Sequence, residues 1–159
     1  MQPEKTSKKV QGTELTKEQM NEQFNIATKE LLLSIDLDFI QLTYEHLILA
    51  WIGSQNLDSE SRFQRSNIYF FNRNFLRFLN EASNETKEVN LFTEFIDGWD
   101  LMSAKEKIYE VYDGFLCSDE SDDLNARLDG ILLYKEINRY IEKIYEIDER
   151  FKSEMKLTA

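Results

Sequence analysis

The sequence predicts an all-α fold: a single-domain helical bundle of about six helices with a long C-terminal helix. Three observations carry that expectation. The only proline is Pro3, and past the first dozen residues only Gly53, Gly98, Gly114 and Gly130 interrupt the chain, so little stands in the way of long helices. Apolar residues recur at three- and four-residue intervals, the helical period. Alternating runs of β-branched residues, the mark of half-buried strands, are absent.

A chain of 159 residues suits one domain and can bury roughly two-thirds of its unfolded surface. Its hydrophobic content of 42% and charged content of 31% are those of a globular protein, and aromatics at 13% predict a core built largely of Phe and Tyr. Residues 1–13 are polar and lysine-bearing and read as a disordered basic tail, with residues 14–159 as the single helical domain.

The first helix is expected to start at Thr16, with Gln19 three residues on as its capping-box partner. Met20, Phe24, Ala27 and Leu31 then form one apolar stripe, with Glu14, Glu18 and Glu22 on a solvated face. A second helix, Asp36 to Ile52, is apolar almost all round (Phe39, Ile40, Leu42, Leu47, Ile48, Leu49, Trp51), which predicts a central position; Gly53 ends it. The third, from about Ser61 to Ala82, has two faces. At about 100° per residue, Ile68, Phe71, Phe75, Phe78 and Leu79 share one side, while Arg62, Arg65, Tyr69, Arg73 and Arg77 share the other.

A short helix over "NLFTEFID" follows, capped by Asn90 and ended near Gly98. "SAKE", Ser103 to Glu106, reads as a capping box opening the next helix, whose apolar face is Ile108, Val111, Tyr112 and Phe115. The acidic run from Asp119 to Asp123 places negative charge at the start of the last helix, where the macrodipole favours it. That helix is expected from about Asp122 to Met155 with a kink at Gly130. Its second half carries Ile137, Ile141, Ile144, Phe151 and Met155, and an unbroken helix here would be roughly 50 Å long, so its end should project.

Charge is distributed unevenly. The formal net charge is −11; residues 1–60 contribute −5, residues 61–80 +4, residues 81–130 −10, and residues 131–159 zero. A field of that sign disfavours direct contact with nucleic acid and favours a basic protein partner.

Catalytic and metal-binding signatures are missing. Cys117 and His46 are each the sole residue of their kind, which excludes an internal disulfide and leaves a Cys/His zinc site without enough ligands. The residues one helical turn either side of His46 are Leu42, Thr43, Leu49 and Ala50, none of which ligates a metal or orients an imidazole, so it reads as a core-edge histidine with a hydrogen bond. Cys117 precedes "SDESDD", and neighbouring acids raise a thiol's pKa, the reverse of what a nucleophile needs. Asp119, Ser121, Asp123 and Asn125 alternate as early EF-hand ligands do, but Leu124 and Gly130 stand where that loop needs glycine and glutamate. No phosphate loop, nucleophile elbow or H-E-x-x-H motif occurs. No cofactor and no metal are expected.

The longest apolar run, "HLILAWIG" at 46–53, is far short of the roughly 20 residues that span a bilayer, and "MQPEKTSKKV" has no apolar segment of a secretory signal behind it. A cytoplasmic protein that does not enter membranes is expected. The functional expectation is a non-catalytic protein-binding module: a small acidic inhibitor of the immunity, antitoxin or anti-defence type, docking on a basic partner as nucleic-acid mimics do. Its contact residues are read as the arginine stripe Arg62, Arg65, Tyr69, Arg73 and Arg77, and the acids Asp119, Glu120, Asp122 and Asp123. The arginines have a second reading, as internal counterions to the acids of residues 81–130. Two other classes stay open: a secretion chaperone or adaptor with an apolar client groove, and an enzyme working through carboxylates alone. The C-terminal helix offers a route to a homo-oligomer.

Overall fold

The computed structural model describes residues 16–54, 62–84 and 90–158. They form six α-helices: α1 (Lys17–Ser34), α2 (Leu37–Gly53), α3 (Arg62–Ala82), α4 (Asn90–Gly98), α5 (Leu101–Leu116) and α6 (Leu124–Thr158). A 3₁₀ turn at Asp119–Asp122 joins the last two, and no strand occurs among the described residues. The all-α bundle with a long C-terminal helix is thus what the chain forms. The expected tail at 1–13 and the side-chain cap at Asn90 lie outside the described residues.

Helix starts are set by short polar side chains. Thr16 and Gln19 form the expected capping box, with Gln19 N donating to Thr16 Oγ1 at 3.2 Å and Thr16 N donating to Gln19 Oε1 at 2.8 Å. Asp36 caps α2 through the Phe39 amide at 2.8 Å. The "SAKE" capping box does not form. Asp100 caps α5 instead, accepting from Ser103 N at 2.9 Å, so Ser103 sits at the third helical position rather than before the first. The last helix likewise starts later than expected, at Leu124, because Asp119–Asp122 wind into the 3₁₀ turn and Asp123 takes the capping role, accepting from Ala126 N at 2.8 Å.

The core is centred on aromatic rings from α3 and α4. Phe71, Phe75 and Phe78 are buried on α3, one helical turn apart, and meet Phe92 and Phe95 of α4. Phe78 and Phe95 stack at 4.5 Å between ring centres, and Phe92 stacks on Phe24 of α1 at 4.5 Å. Trp99 closes the other end, edge-on to Phe71 at 5.0 Å. One contiguous set of rings therefore links α1, α4 and α3. α2 lies against α3, α5 and α6, and α6 backs α1, α4 and α5.

Two glycines permit close approach. A Cβ on Gly114 would sit 2.4 Å from Trp51 Cδ1 and 3.1 Å from the Trp51 Cα, so α5 touches α2 at its backbone there. Gly130 is where the Phe115 ring lies on α6, with an added Cβ only 2.8 Å from Phe115 Cε1. α6 is helical without a break through Gly130, where the absence of a side chain makes room for the Phe115 ring.

Two burial expectations are corrected. α2 is central by its neighbours, yet Leu42, Leu49 and Ile52 are exposed, because the bundle covers only one side of it. On α6, Ile137, Ile141 and Ile144 are fully buried, but Met155 is exposed and Leu157 is 86% exposed. At 35 residues the helix is about 50 Å long and outruns the bundle.

Three substitutions test this packing by thermal or denaturant unfolding. Phe75→Ala should cost about 3–5 kcal/mol, as removal of a fully buried phenylalanine does. Gly114→Ala should destabilise by about 1–3 kcal/mol, overpacking outweighing the roughly 1 kcal/mol helix-propensity gain. Gly53→Ala has nothing described within 4 Å and should be neutral or stabilising. A tolerated Gly114→Ala would show that Trp51 is not held against α5.

Candidate functional site

The two-faced character of α3 is observed. Ile68, Phe71, Phe75, Phe78 and Leu79 are buried, Arg62 and Arg77 are exposed, and Arg65, Tyr69 and Arg73 are half-buried. Two further aromatics, Phe63 and Phe70, belong to the outward side, at 75% and 59% exposed.

The arginines divide into two pairs. Arg73 is held: its Nη1 donates to both carboxylate oxygens of Glu45 on α2, at 2.8 and 2.7 Å, and its Nε donates to the Tyr69 hydroxyl at 3.2 Å. Its guanidinium also lies over the Tyr69 ring, 5.3 Å from the centroid. These bonds to Glu45 hold the guanidinium's pKa above its ordinary value. Arg77 reaches Glu81 one turn on, at 3.8 Å. The internal counterion of Arg73 is therefore a carboxylate of α2, outside the 81–130 segment that the sequence suggested, because α3 lies along α2. Arg62 and Arg65 make no ion pair with another described residue. With Trp51, Ile52, Ser66, Tyr69 and Phe70 they line an open cleft of about 390 Å³.

The acidic run also divides. Glu120 meets His46 of α2, Oε2 to Nε2 at 3.0 Å, while the histidine ring lies edge-on to Phe115 at 6.1 Å. This is the hydrogen bond expected of a core-edge histidine, made by a carboxylate 74 residues along the chain that no helical spacing could reveal. Asp123 caps α6. Asp119 and Asp122 are exposed and pair with no other described residue. Ser121 braces the turn from inside, its buried hydroxyl lying 2.9 Å from both the Leu116 and Ser118 carbonyls, while Arg127 Nε donates to the Ser121 carbonyl at 2.8 Å. No ion pair among the described residues joins this turn to the arginine stripe.

Some polar residues escaped the sequence reading. Asn72 is fully buried among the phenylalanines of α3, where its amide donates to the Ile68 carbonyl at 2.7 Å and to the Lys107 carbonyl of α5 at 3.1 Å. The Tyr44 hydroxyl of α2 donates to Asn72 Oδ1 at 2.5 Å. Three helices are thereby tied by one amide. Its signal in the sequence is a lone Asn at a core position of an apolar stripe. Tyr140 of α6 similarly shares a bond of 3.0 Å with Thr28 of α1. Burial pushes the hydroxyl pKa of Tyr44 and of Tyr140 well above the usual tyrosine range.

A cleft of about 440 Å³ lies between α1 and α6. Its two carboxylates each face a cation: Glu30 with Lys143, and Glu136 with Arg139 at 3.8 Å. Among the described residues no group of three or more His, Cys, Asp or Glu is placed to hold a metal ion, and no helix is long and apolar enough to cross a membrane. Comparison of the chain with protein-family models, with curated proteins and with solved structures finds no significant match to any of them.

The buried tyrosines set an alkaline limit. Their folded-state pKa values lie above the unfolded value of about 10, so their contribution is fully present below pH 10 and is lost as pH rises beyond it. Stability should fall by up to about 1.4 kcal/mol per pH unit for each of the two. Tyr44→Phe should lower stability at neutral pH by about 1–3 kcal/mol, by stranding the Asn72 acceptor, and should make the alkaline slope shallower. Melting curves between pH 8 and about pH 11 check both; an unchanged slope in Tyr44→Phe would show that Tyr44 is not buried.

Proposed function

We propose that the protein is a non-catalytic, cytoplasmic binding module: a small acidic inhibitor that docks on a basic surface of a partner protein. The observation that carries this reading is the turn at Asp119–Asp122. It projects Asp119 and Asp122 to solvent without a described counterion, in the segment that holds −10 of the −11 net charge. Exposed carboxylates on a braced turn cost little to bring to a partner, since Ser121, Arg127 and the His46–Glu120 pair already hold the backbone in place. Long-range attraction would then raise the encounter rate and select for basic partners.

An adaptor that takes a client on an apolar face is the second reading. It is favoured by Leu42, Leu49 and Ile52, which α2 presents to solvent. The two readings part on salt, because burial of an apolar face is insensitive to ionic strength while steering by carboxylates is not.

The test begins with the partner retained by the native protein on co-purification, identified by mass spectrometry. Association measured from low to physiological salt should weaken steeply, with the change mostly in the on-rate. Asp119→Asn with Asp122→Asn should flatten that dependence while leaving the melting temperature in place, since neither side chain is engaged in the fold. Arg62→Ala with Arg65→Ala should leave affinity equal or slightly higher. Salt-independent binding that survives the aspartate substitutions would replace this reading with the adaptor.

A further inference from the structure

We infer that the exposed apolar face at the start of α6 is the seat of a basic amphipathic helix contributed by the partner. This deepens the reading of the protein as an acidic binding module and rests on it. Leu124, Leu128, Ile131 and Leu132 are 64%, 54%, 43% and 42% exposed. Their spacing of four, seven and eight residues is that of a single helical face. Ordinarily such a face is the one a helix buries. Here Leu133 and Ile137 are fully buried on the other side of α6, so the first turns of this helix are apolar on two sides and the bundle covers only one.

The patch continues onto α5. Tyr134 lies one turn beyond Ile131 and stacks on Tyr112 at 4.2 Å, with the half-exposed Tyr109 ring 6.3 Å away. Leucine and isoleucine side chains bordered by tyrosines give the composition of an interface centre, and contiguous exposed apolar surface of this kind marks contact sites.

Charge identifies the occupant. Asp119, Asp122, Asp123 and Asp129 are exposed around the patch, and residues 119–135 carry five acids against two bases, Arg127 and Lys135. Arg127 is engaged with the Ser121 carbonyl. An apolar strip with a carboxylate rim complements a helix with an apolar stripe and Lys or Arg on its flanks, the helix-in-groove mode of recognition. A membrane surface carries anionic headgroups that the rim would repel. A second copy brings its own net charge of −11, and two such chains repel one another.

The full-length protein can be titrated with a fluorescent Lys/Leu peptide of about 18 residues, five helical turns, whose leucines share one face. A control peptide of the same composition has its leucines scattered around the helix. The amphipathic peptide should bind at least about tenfold tighter than the control. Leu128→Ser with Ile131→Ser should remove about tenfold or more of that affinity and abolish the preference, with the melting temperature and helical circular dichroism retained. Leu124→Ser, the most exposed of the four, serves as a second variant with the least bearing on the fold, and should act in the same direction.

Each result has a reading. If the two peptides bind equally and remain salt-sensitive, the inference fails while the acidic docking reading stands. If neither binds at low salt, both fail. A preference for the amphipathic peptide that survives all three serine substitutions places the apolar contact elsewhere and overturns the inference. So does a chain beginning at residue 14 that binds the peptide tenfold tighter, because the patch then belongs to the protein's own N-terminal segment. Concentration-dependent self-association, lost in the Leu128→Ser, Ile131→Ser variant, would assign the patch to a second copy and overturn it as well.

Discussion

The stack of aromatic rings from Phe24 through Phe92, Phe95 and Phe78 to Phe75, Phe71 and Trp99 is the interaction on which the rest of the bundle depends. α4 is only nine residues long and could not hold itself helical in water. Inserted between α1 and α3, its Phe92 and Phe95 bring large apolar area to both neighbours, and offset or edge-on ring pairs add about 0.5–1.5 kcal/mol each beyond burial. With α3 anchored on one side by these rings, its other side is presented to α2 and to solvent, and that orientation determines where its four arginines lie.

Against this apolar centre, a few buried polar groups determine which helices are neighbours. Asn72 accepts from Tyr44 and donates to α5, so α2, α3 and α5 meet in one register; shifting any of them by a turn would strand a buried amide. Thr28 and Tyr140 do the same for α1 and α6. The contact of Gly114 with Trp51 brings α5 to backbone distance of α2. Leu42, Leu49 and Ile52 remain on the side of α2 that no described helix covers.

The same geometry gives the two charged patches different partners on α2. Arg73 is committed to Glu45 because α3 lies along α2, and His46, one residue on, turns instead to Glu120 at the far edge of the helix. α2 thus makes one side-chain contact with each patch. The acidic turn is left with two unengaged aspartates beside a leucine face, where charge can steer a partner and apolar contact can retain it.

Fold class was legible in the sequence because the helical period, the near absence of proline and the capping box at Thr16 are local properties, and local properties survive folding. The division of α3 into a phenylalanine face and an arginine face was legible for the same reason: angular position on a helix follows from residue number alone. What periodicity cannot state is how many sides of a helix the bundle will cover. α2 carries more apolar residues than one face holds, and the sequence reads that as central burial; the start of α6 carries a similar excess that its period alone does not place. Only the packing of six helices of unequal length leaves Leu42, Leu49, Leu124 and Leu128 in solvent. Pairings across the chain were equally out of reach. Glu45 with Arg73, Glu120 with His46 and Tyr44 with Asn72 join residues 28 to 74 positions apart, and such contacts are decided by how whole helices dock, not by anything written near the residues themselves.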